Sequence, residues 1–324
     1  MRAMVVREAN GDFQLEDREV PEVGPGQVRV KVDACGICHS DAFVKFGAFP
    51  GLRFPKVPGH EVAGVIDAVG DDVSGLAKGD RVGIGWHGGH CFRCEACRRG
   101  HFINCSDAQI CGISYDGGYQ EYMVAPWAAV ARIPDALSPV DAGPLLCAGV
   151  TTFNALRNSG ARPGDTVAVQ GIGGLGHLGV QYARRMGFRT VAISRGDDKK
   201  ALAEELGAHE YIDAKENDAA EALRKLGGAQ VILATAPSAA AIQSVIGGLS
   251  SRGRLMIVGV AQKPIEVNAM AMLSGKQIQG WPSGTAMDSE DTMKFSALTN
   301  VRPHTEVFSL EQANEGFAKV MEKP

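Results

Sequence analysis

A chain of 324 residues exceeds what one hydrophobic core of typical size holds, so two domains are expected. With 33 Lys and Arg against 37 Asp and Glu, the net charge of −4 leaves no basic excess to attract nucleic acid or an anionic membrane. No apolar run reaches the ~18 residues of a membrane span, and Met1 opens onto a charged, strand-like segment without an apolar leader, so a cytoplasmic, reducing setting is expected. There the eight cysteines, six of them at metal-like spacings, read as metal ligands and not as disulfides.

From Met1 to about Ala148 short runs of β-formers are separated by Gly and Pro. Strands are expected at Met4–Val6, Val28–Val32 and Val62–Ile66, with turns at Gly24-Pro25-Gly26, Pro55 to Gly59 and Leu76 to Asp80. This predicts an all-β, partly barrel-like domain whose loops carry the binding groups.

Two metal signals lie in this domain. Cys38-His39-Ser40-Asp41 and Pro58-Gly59-His60-Glu61 supply a thiolate and an imidazole, with Cys147 a third candidate ligand. Three protein ligands leave a tetrahedral zinc one open position, the mark of a catalytic site. The second signal, Cys91-x2-Cys94-x2-Cys97-x7-Cys105, places four thiols in fifteen residues and predicts a closed, structural zinc site. Cys35 and Cys111 fit neither cluster and read as free buried cysteines. His87, His90 and His101 surround the lobe, but four thiolates already close it, so no ligand role is expected for them.

The hydrophobic period changes from Arg162 to about Gly280. Strands at Thr166–Gln170, Thr190–Ser194, Val231–Leu233 and Leu255–Val258 alternate with helices at Leu175–Met186, Lys199–Leu206, Ala219–Leu226 and Ala239–Leu249. Repeated βα units predict a doubly wound parallel sheet, the Rossmann architecture. After Trp281 a helix over Asp288–Leu298 and a closing segment are expected to return to the first domain. The resulting boundaries are 1–150 with a metal lobe at about 86–111, then 151–284, then 285–324.

Gly171-Ile172-Gly173-Gly174-Leu175-Gly176 follows a strand and opens a helix. In that context the glycines permit a tight turn and close backbone approach, while the helix N-terminus offers N–H groups to a pyrophosphate. An NAD-specific protein usually carries an acidic residue about 20 residues on. This chain instead reads Ile193-Ser194-Arg195-Gly196, with Lys199 beyond. Ser194 and Arg195 can bind a 2′-phosphate, so NADP is expected over NAD, against the nearby charges of Asp197 and Asp198.

These motifs, together with Gly36-Ile37-Cys38-His39-Ser40-Asp41, Pro58-Gly59-His60-Glu61-Val62-Ala63-Gly64 and Asp116-Gly117-Gly118-Tyr119, resemble the zinc-dependent alcohol dehydrogenases of the medium-chain dehydrogenase/reductase superfamily. The likeness is closest to the yeast-type and cinnamyl-type members. It implies a GroES-like catalytic domain beside the Rossmann domain, and catalytic zinc on Cys38, His60 and Cys147. It implies that Glu61 sits behind the metal, that Asp41 orients His60, and that Ser40 hands on the substrate's proton. It places His39 on the cofactor pyrophosphate, Thr151 on the nicotinamide, and Phe49 and Trp86 along the substrate pocket. The family's dimers and tetramers imply a homo-oligomer.

Two features depart from the family pattern. Phe43 stands where many members carry the histidine that ends the proton relay, so the relay through Ser40 is expected to end at the cofactor ribose or at water. The chain also runs to Met321-Glu322-Lys323-Pro324 where relatives usually continue into a final strand, so either it is shortened or its first domain closes differently. The expected reaction is reversible hydride transfer between the nicotinamide and a primary alcohol or aldehyde, in a crevice between the two domains; Phe43, Phe46, Phe49 and Trp86 suggest an aromatic-lined pocket. The alternatives are a zinc-free quinone or enone reductase on the same fold, which would lack the ligand set, and a non-catalytic nucleotide-binding sensor.

Overall fold

The computed structural model describes residues 1–322; Lys323 and Pro324, the last two residues of the closing segment expected over 285–324, lie outside the described residues. The chain divides into two compact units, one formed by Met1–Val150 with the segment that begins at Ser283, the other by Thr151–Pro282.

The first unit opens with an antiparallel hairpin of β1 (Arg2–Val5) and β2 (Gln14–Asp17). Its main sheet contains β3 (Gln27–Cys35), β4 (Val62–Val69) and β5 (Arg81–Ile84); β6 (His87–Gly89) and β7 (Gln109–Ile110) pair apart from it, and β8 (Tyr122–Pro126) and β9 (Val130–Arg132) complete it. The five strands run antiparallel in the order β8-β3-β4-β5-β9. In β3 the apolar Val28 and Val30 face the core while Arg29 and Lys31 point away, the two-residue alternation of a sheet with one wet face. They pack with Val62, Ile66, Val82, Ile84 and Met123 into one core. A second core joins the ends of the chain. Phe317, on the helix Ala313–Glu322, meets Phe13 edge-to-face at 5.3 Å. Asn314 on the same helix accepts from the Phe13 amide at 3.1 Å and donates to its carbonyl at 2.8 Å.

The second unit is a six-stranded parallel sheet of β10 (Thr166–Gln170), β11 (Arg189–Ser194), β12 (Glu210–Asp213), β13 (Ala229–Ala234), β14 (Leu249–Ile257) and β15 (Gln277–Gly280). Their order is β12-β11-β10-β13-β14-β15, every neighbouring pair parallel. Val167–Val169 and Val231–Leu233 are unbroken apolar runs with no exposed surface, as strands covered on both faces must be. Strand order reverses between β10 and β13, the place where doubly wound sheets bind ligands. One expected helix is shorter than its sequence suggests. It spans Ala239–Ile246, because Gly247 and Gly248 end it, and Leu249 already opens β14.

Candidate active site

The residues that could hold a metal are delivered by three separate segments of the first unit. After β3 the chain makes a short helical turn, His39–Asp41, with Cys38 as its cap. The Asp41 carboxylate accepts the Cys38 amide at 2.9 Å while the Cys38 sulfur accepts that of Ser40 at 3.5 Å. His60 and Glu61 immediately precede β4. Cys147 sits on a π-helical turn, Leu145–Gly149, a wide turn that recurs at functional sites. The sulfurs of Cys38 and Cys147 face each other at 3.8 Å. With His60 and Glu61, all four ligand atoms lie within 4.8 Å of one another.

The histidine decides whether this arrangement suits a cation. Its Nδ1 stands 3.0 Å from Asp41 Oδ1. A carboxylate only accepts, so Nδ1 carries the proton and the lone pair of the neutral ring resides on Nε2. That Nε2 is buried without a hydrogen-bond partner. An orphaned nitrogen beside two sulfurs is the donor set that zinc takes, and the Asp41–His60 pair supplies the outer carboxylate typical of metal-bound imidazole. Electrostatics tie the imidazole and the thiols together, each acting on the other's proton. Of the facing sulfurs Cys38 ionises first, held well below the ordinary thiol range by the Cys147 thiol and, against the cost of burial, by His60. Burial works against charge on His60 as well, but Asp41 and Cys38 outweigh it and push its pKa well up. Burial pushes the Glu61 carboxyl well up too. Space for that carboxylate depends on Gly36, since a Cβ there would lie 1.8 Å from Glu61 Oε2.

A cluster of three aromatic rings reaches His60 through Trp86. Trp86 meets its imidazole edge-on at 5.0 Å, and Phe49 and Phe43 pack against Trp86 at 6.4 and 6.2 Å. Phe43, the residue in place of the relay histidine, is thus part of an aromatic wall. Ser40 is half-buried, and His39 is exposed on the same turn.

The four-cysteine lobe is closed on itself. The amides of Cys94 and Cys97 donate to the sulfurs of Cys91 and Cys94 at 3.4 and 3.5 Å, and those of Cys91 and Asp107 donate to Cys105 at 3.4 and 3.3 Å. The Cys97 amide, helped by that of Ser106, lowers the Cys94 thiol to about 6, whereas burial pushes Cys97 up to about 12. All four sulfurs form one group able to bind a metal.

In the second unit the glycine turn follows β10 and opens the helix Gly174–Arg185. Gly171 has φ of +92°, and a Cβ on Gly176 would stand 1.8 Å from the Gly171 carbonyl, so both must be glycine for helix and strand to meet. A Cβ at Gly173 or Gly174 would meet nothing within 4 Å, leaving open the helix N-terminus where Leu175 follows. The Thr235 hydroxyl, 2.9 Å from the Gln170 carbonyl and 3.0 Å from that of Gly171, latches the turn. At the end of β11, Ser194 is half-buried, Arg195 exposed and Lys199 half-buried. Asp213 accepts the Gly196 amide at 2.7 Å, and the Tyr211 hydroxyl donates to the Gly196 carbonyl at 2.6 Å. Thr151 is buried in the helix Val150–Arg157.

Sequence reasoning passed over Thr235, Tyr211 and Asp213, which no local motif marks. It also gave no role to Tyr119, although its Gly-Gly-Tyr setting was a visible signal. The Tyr119 hydroxyl lies 3.0 Å from Asp41 Oδ2.

Comparison with known proteins agrees with this geometry. Residues 24–135 match the model of the alcohol dehydrogenase GroES-like domain, and residues 174–298 that of the zinc-binding dehydrogenase family. The chain is 44% identical to alcohol dehydrogenase patD of Penicillium expansum, over 98% of this chain and 93% of that protein. It is 40% identical to an alcohol dehydrogenase of Geobacillus stearothermophilus, over 99% of this chain and 96% of the relative. A solved structure described as an NAD-dependent alcohol dehydrogenase superposes with a TM-score of 0.89 at 31% identity, covering 99% of this chain and 96% of that one. The chain therefore belongs to the zinc-binding alcohol dehydrogenases of the medium-chain dehydrogenase/reductase superfamily and is an oxidoreductase.

Proposed function

We propose that this alcohol dehydrogenase works as an NADP-preferring reductase of aldehydes, and oxidant of the matching primary alcohols, aromatic ones included. Cys38, His60 and Cys147 hold a catalytic zinc with Glu61 behind it, and Cys91, Cys94, Cys97 and Cys105 hold a structural one. The observation that carries this reading is the orphaned, buried Nε2 of His60 beside two sulfurs and an aromatic wall. Zinc bound there supplies Lewis acidity, which polarises a carbonyl oxygen or lowers the pKa of an alcohol.

The remaining work belongs to the chain. Asp41 fixes the ring of His60 with Nε2 facing the sulfurs. The hydroxyl of Ser40 takes the proton of the alcohol, and with Phe43 in place of a histidine that proton passes on to the cofactor ribose or to water. Phe43, Phe49 and Trp86 exclude water and present flat apolar faces to the substrate. The first unit is the catalytic domain and the second the dinucleotide-binding domain. In the latter, the amides around Gly173, Gly174 and Leu175 receive the pyrophosphate, and Ser194, Arg195 and Lys199 receive the 2′-phosphate. His39 adds charge at the pyrophosphate and Thr151 contacts the nicotinamide. The resemblance supports a homodimer or homotetramer, and among the described residues no helix is long and apolar enough to cross a membrane.

The test is metal analysis combined with cofactor kinetics. Two zinc ions per chain, activity lost on chelation, and kcat/KM higher with NADPH than with NADH are expected. Replacing Arg195 by Ala should raise KM for NADPH about 10- to 100-fold, the worth of one charge-assisted contact, and leave that for NADH nearly unchanged. Equal or better efficiency with NADH, as the name of the solved neighbour suggests for that protein, would refute the NADP preference.

A further inference from the structure

Asp41 is 1% exposed and receives three donors. Its Oδ1 faces His60 Nδ1 at 3.0 Å, and its Oδ2 accepts the Cys38 amide at 2.9 Å and the Tyr119 hydroxyl at 3.0 Å. Among the described residues its one ion-pair partner is His60, on Oδ1, so Oδ2 of this buried carboxylate is held by two neutral donors, the Cys38 amide and the Tyr119 hydroxyl. Two of the three donors belong to residues that would grip the metal. The third comes from 78 residues along the chain.

Tyr119 is placed with little freedom. Its ring is 4% exposed and meets Phe13 edge-to-face at 5.7 Å. It also lies over Gly59, where a Cβ would stand 2.5 Å from the tyrosine's Cδ1. The backbone around it is laced to the segment that delivers His60. The amide of Gly117 donates to Val57 O at 2.8 Å, that of Gly118 to Gly59 O at 3.0 Å, and that of Tyr119 to Pro58 O at 3.0 Å. A Cβ at Gly117 would stand 2.1 Å from the Gly59 carbonyl, so this contact requires glycine. One turn, 116–119, therefore fixes the approach of His60 and presents a phenol to the carboxylate that orients its ring.

We propose that Tyr119 is a positioning residue of the metal centre. Its hydroxyl holds Asp41 in the rotamer that turns His60 Nε2 toward the sulfurs and anchors Cys38, and it acts on metal retention, without contact with substrate. This rests on the assignment of a metal to Cys38, His60 and Cys147. Without the hydroxyl, Oδ2 keeps one backbone donor and the carboxylate can rotate, freeing the imidazole.

The test is zinc affinity by chelator competition in the wild type, Tyr119→Phe and Phe13→Leu, with melting temperature and the absorption spectrum of the cobalt-substituted enzyme measured in parallel. Phe at 119 keeps the ring and its packing. Expected is a roughly 10-fold or greater loss of affinity for the more weakly held zinc, the size typical when an outer partner of a metal ligand is removed. An altered cobalt spectrum, a melting temperature near that of the wild type, and kcat restored by excess zinc are expected with it. Phe13→Leu, which loosens the ring's neighbour and spares the hydroxyl, should lower the melting temperature but keep zinc affinity. Wild-type affinity within twofold in Tyr119→Phe, or an equal loss in Phe13→Leu, overturns the proposal. A wild type with only one zinc, or with a second zinc that survives Cys38→Ser, refutes instead the assignment beneath it.

Discussion

Both donor clusters lie in the same unit and rely on cysteine sulfur, yet they are organised in opposite ways. The lobe takes all its donors from Cys91–Cys105, and the amides that stabilise its sulfurs come from two or three steps along the chain or, for Cys91 onto Cys105, from within the same fifteen residues. The other cluster draws on residues 38, 60, 61 and 147, its sulfurs 109 residues apart, and is held by a buried carboxylate, a glycine that makes room for Glu61, and a π-helical turn. Each cluster pairs two half-buried cysteines, Cys91 and Cys94 or Cys38 and Cys147, with two buried members, but only the second buries an imidazole and carboxylates, His60, Glu61 and Asp41. A locally built cage stabilises the segment that makes it. A cage assembled by the whole sheet is presented by a fold that already exists, and it can leave room for a reactant.

The contrast predicts that sulfur-to-oxygen changes break different things. Cys38→Ser should have the largest effect, lowering kcat by roughly three orders of magnitude or more, since metal electrostatics are worth several kcal/mol to the transition state. Its melting temperature should stay near that of the wild type and one zinc per chain should be lost, as turnover, calorimetry and metal content would show. Cys94→Ser should come next, with several kcal/mol of stability lost in denaturant titrations, because a structural zinc contributes folding free energy. The activity of its folded fraction should stay within a few-fold of normal. If both variants stayed stable and active, the division of roles would be wrong.

The smallest expected effect concerns pH at the edge of the lobe. His87 is buried and stacked on His90 at 5.1 Å, with both ring nitrogens lacking a hydrogen-bond partner, and burial lowers its pKa to about 4. Above pH ~6.5 the ring is neutral folded or unfolded and pH has no leverage through it. Below that value the unfolded chain binds the proton first, so stability falls as pH drops toward about 4. His87→Leu should therefore flatten the stability slope between pH 6 and 5 by at most about 1.4 kcal/mol per unit, measured by urea titration.

The same contrast explains what could be read from the chain. Four thiols in fifteen residues declare themselves because their geometry is a property of one short segment. The glycine turn is legible for a similar reason, since it joins a buried strand to a helix within a few residues. Cys147 carries no local motif and enters the sequence reading only as a third candidate ligand that the family resemblance then supports; its π-helical turn is created by packing that periodicity does not encode. Tyr119, Thr235 and Asp213 act on residues 78, 64 and 17 positions away, a distance at which side-chain pairing leaves no trace in a single sequence. The helix after Ser238 is longer in the sequence pattern than in the structure because its apolar residues run on into β14, and the period does not register the two glycines that separate them.

The hydrogen bonds between Asn314 and Phe13 span 301 residues, and they bear on how the protein is made. On the ribosome the second unit, continuous from Thr151 to Pro282, can fold as soon as it emerges. The first unit must wait for Asn314 and Phe317 before the core around Phe13 is complete. Nascent chains thus carry the Cys35 thiol, which packs against this core, without its finished surroundings until the last helix arrives.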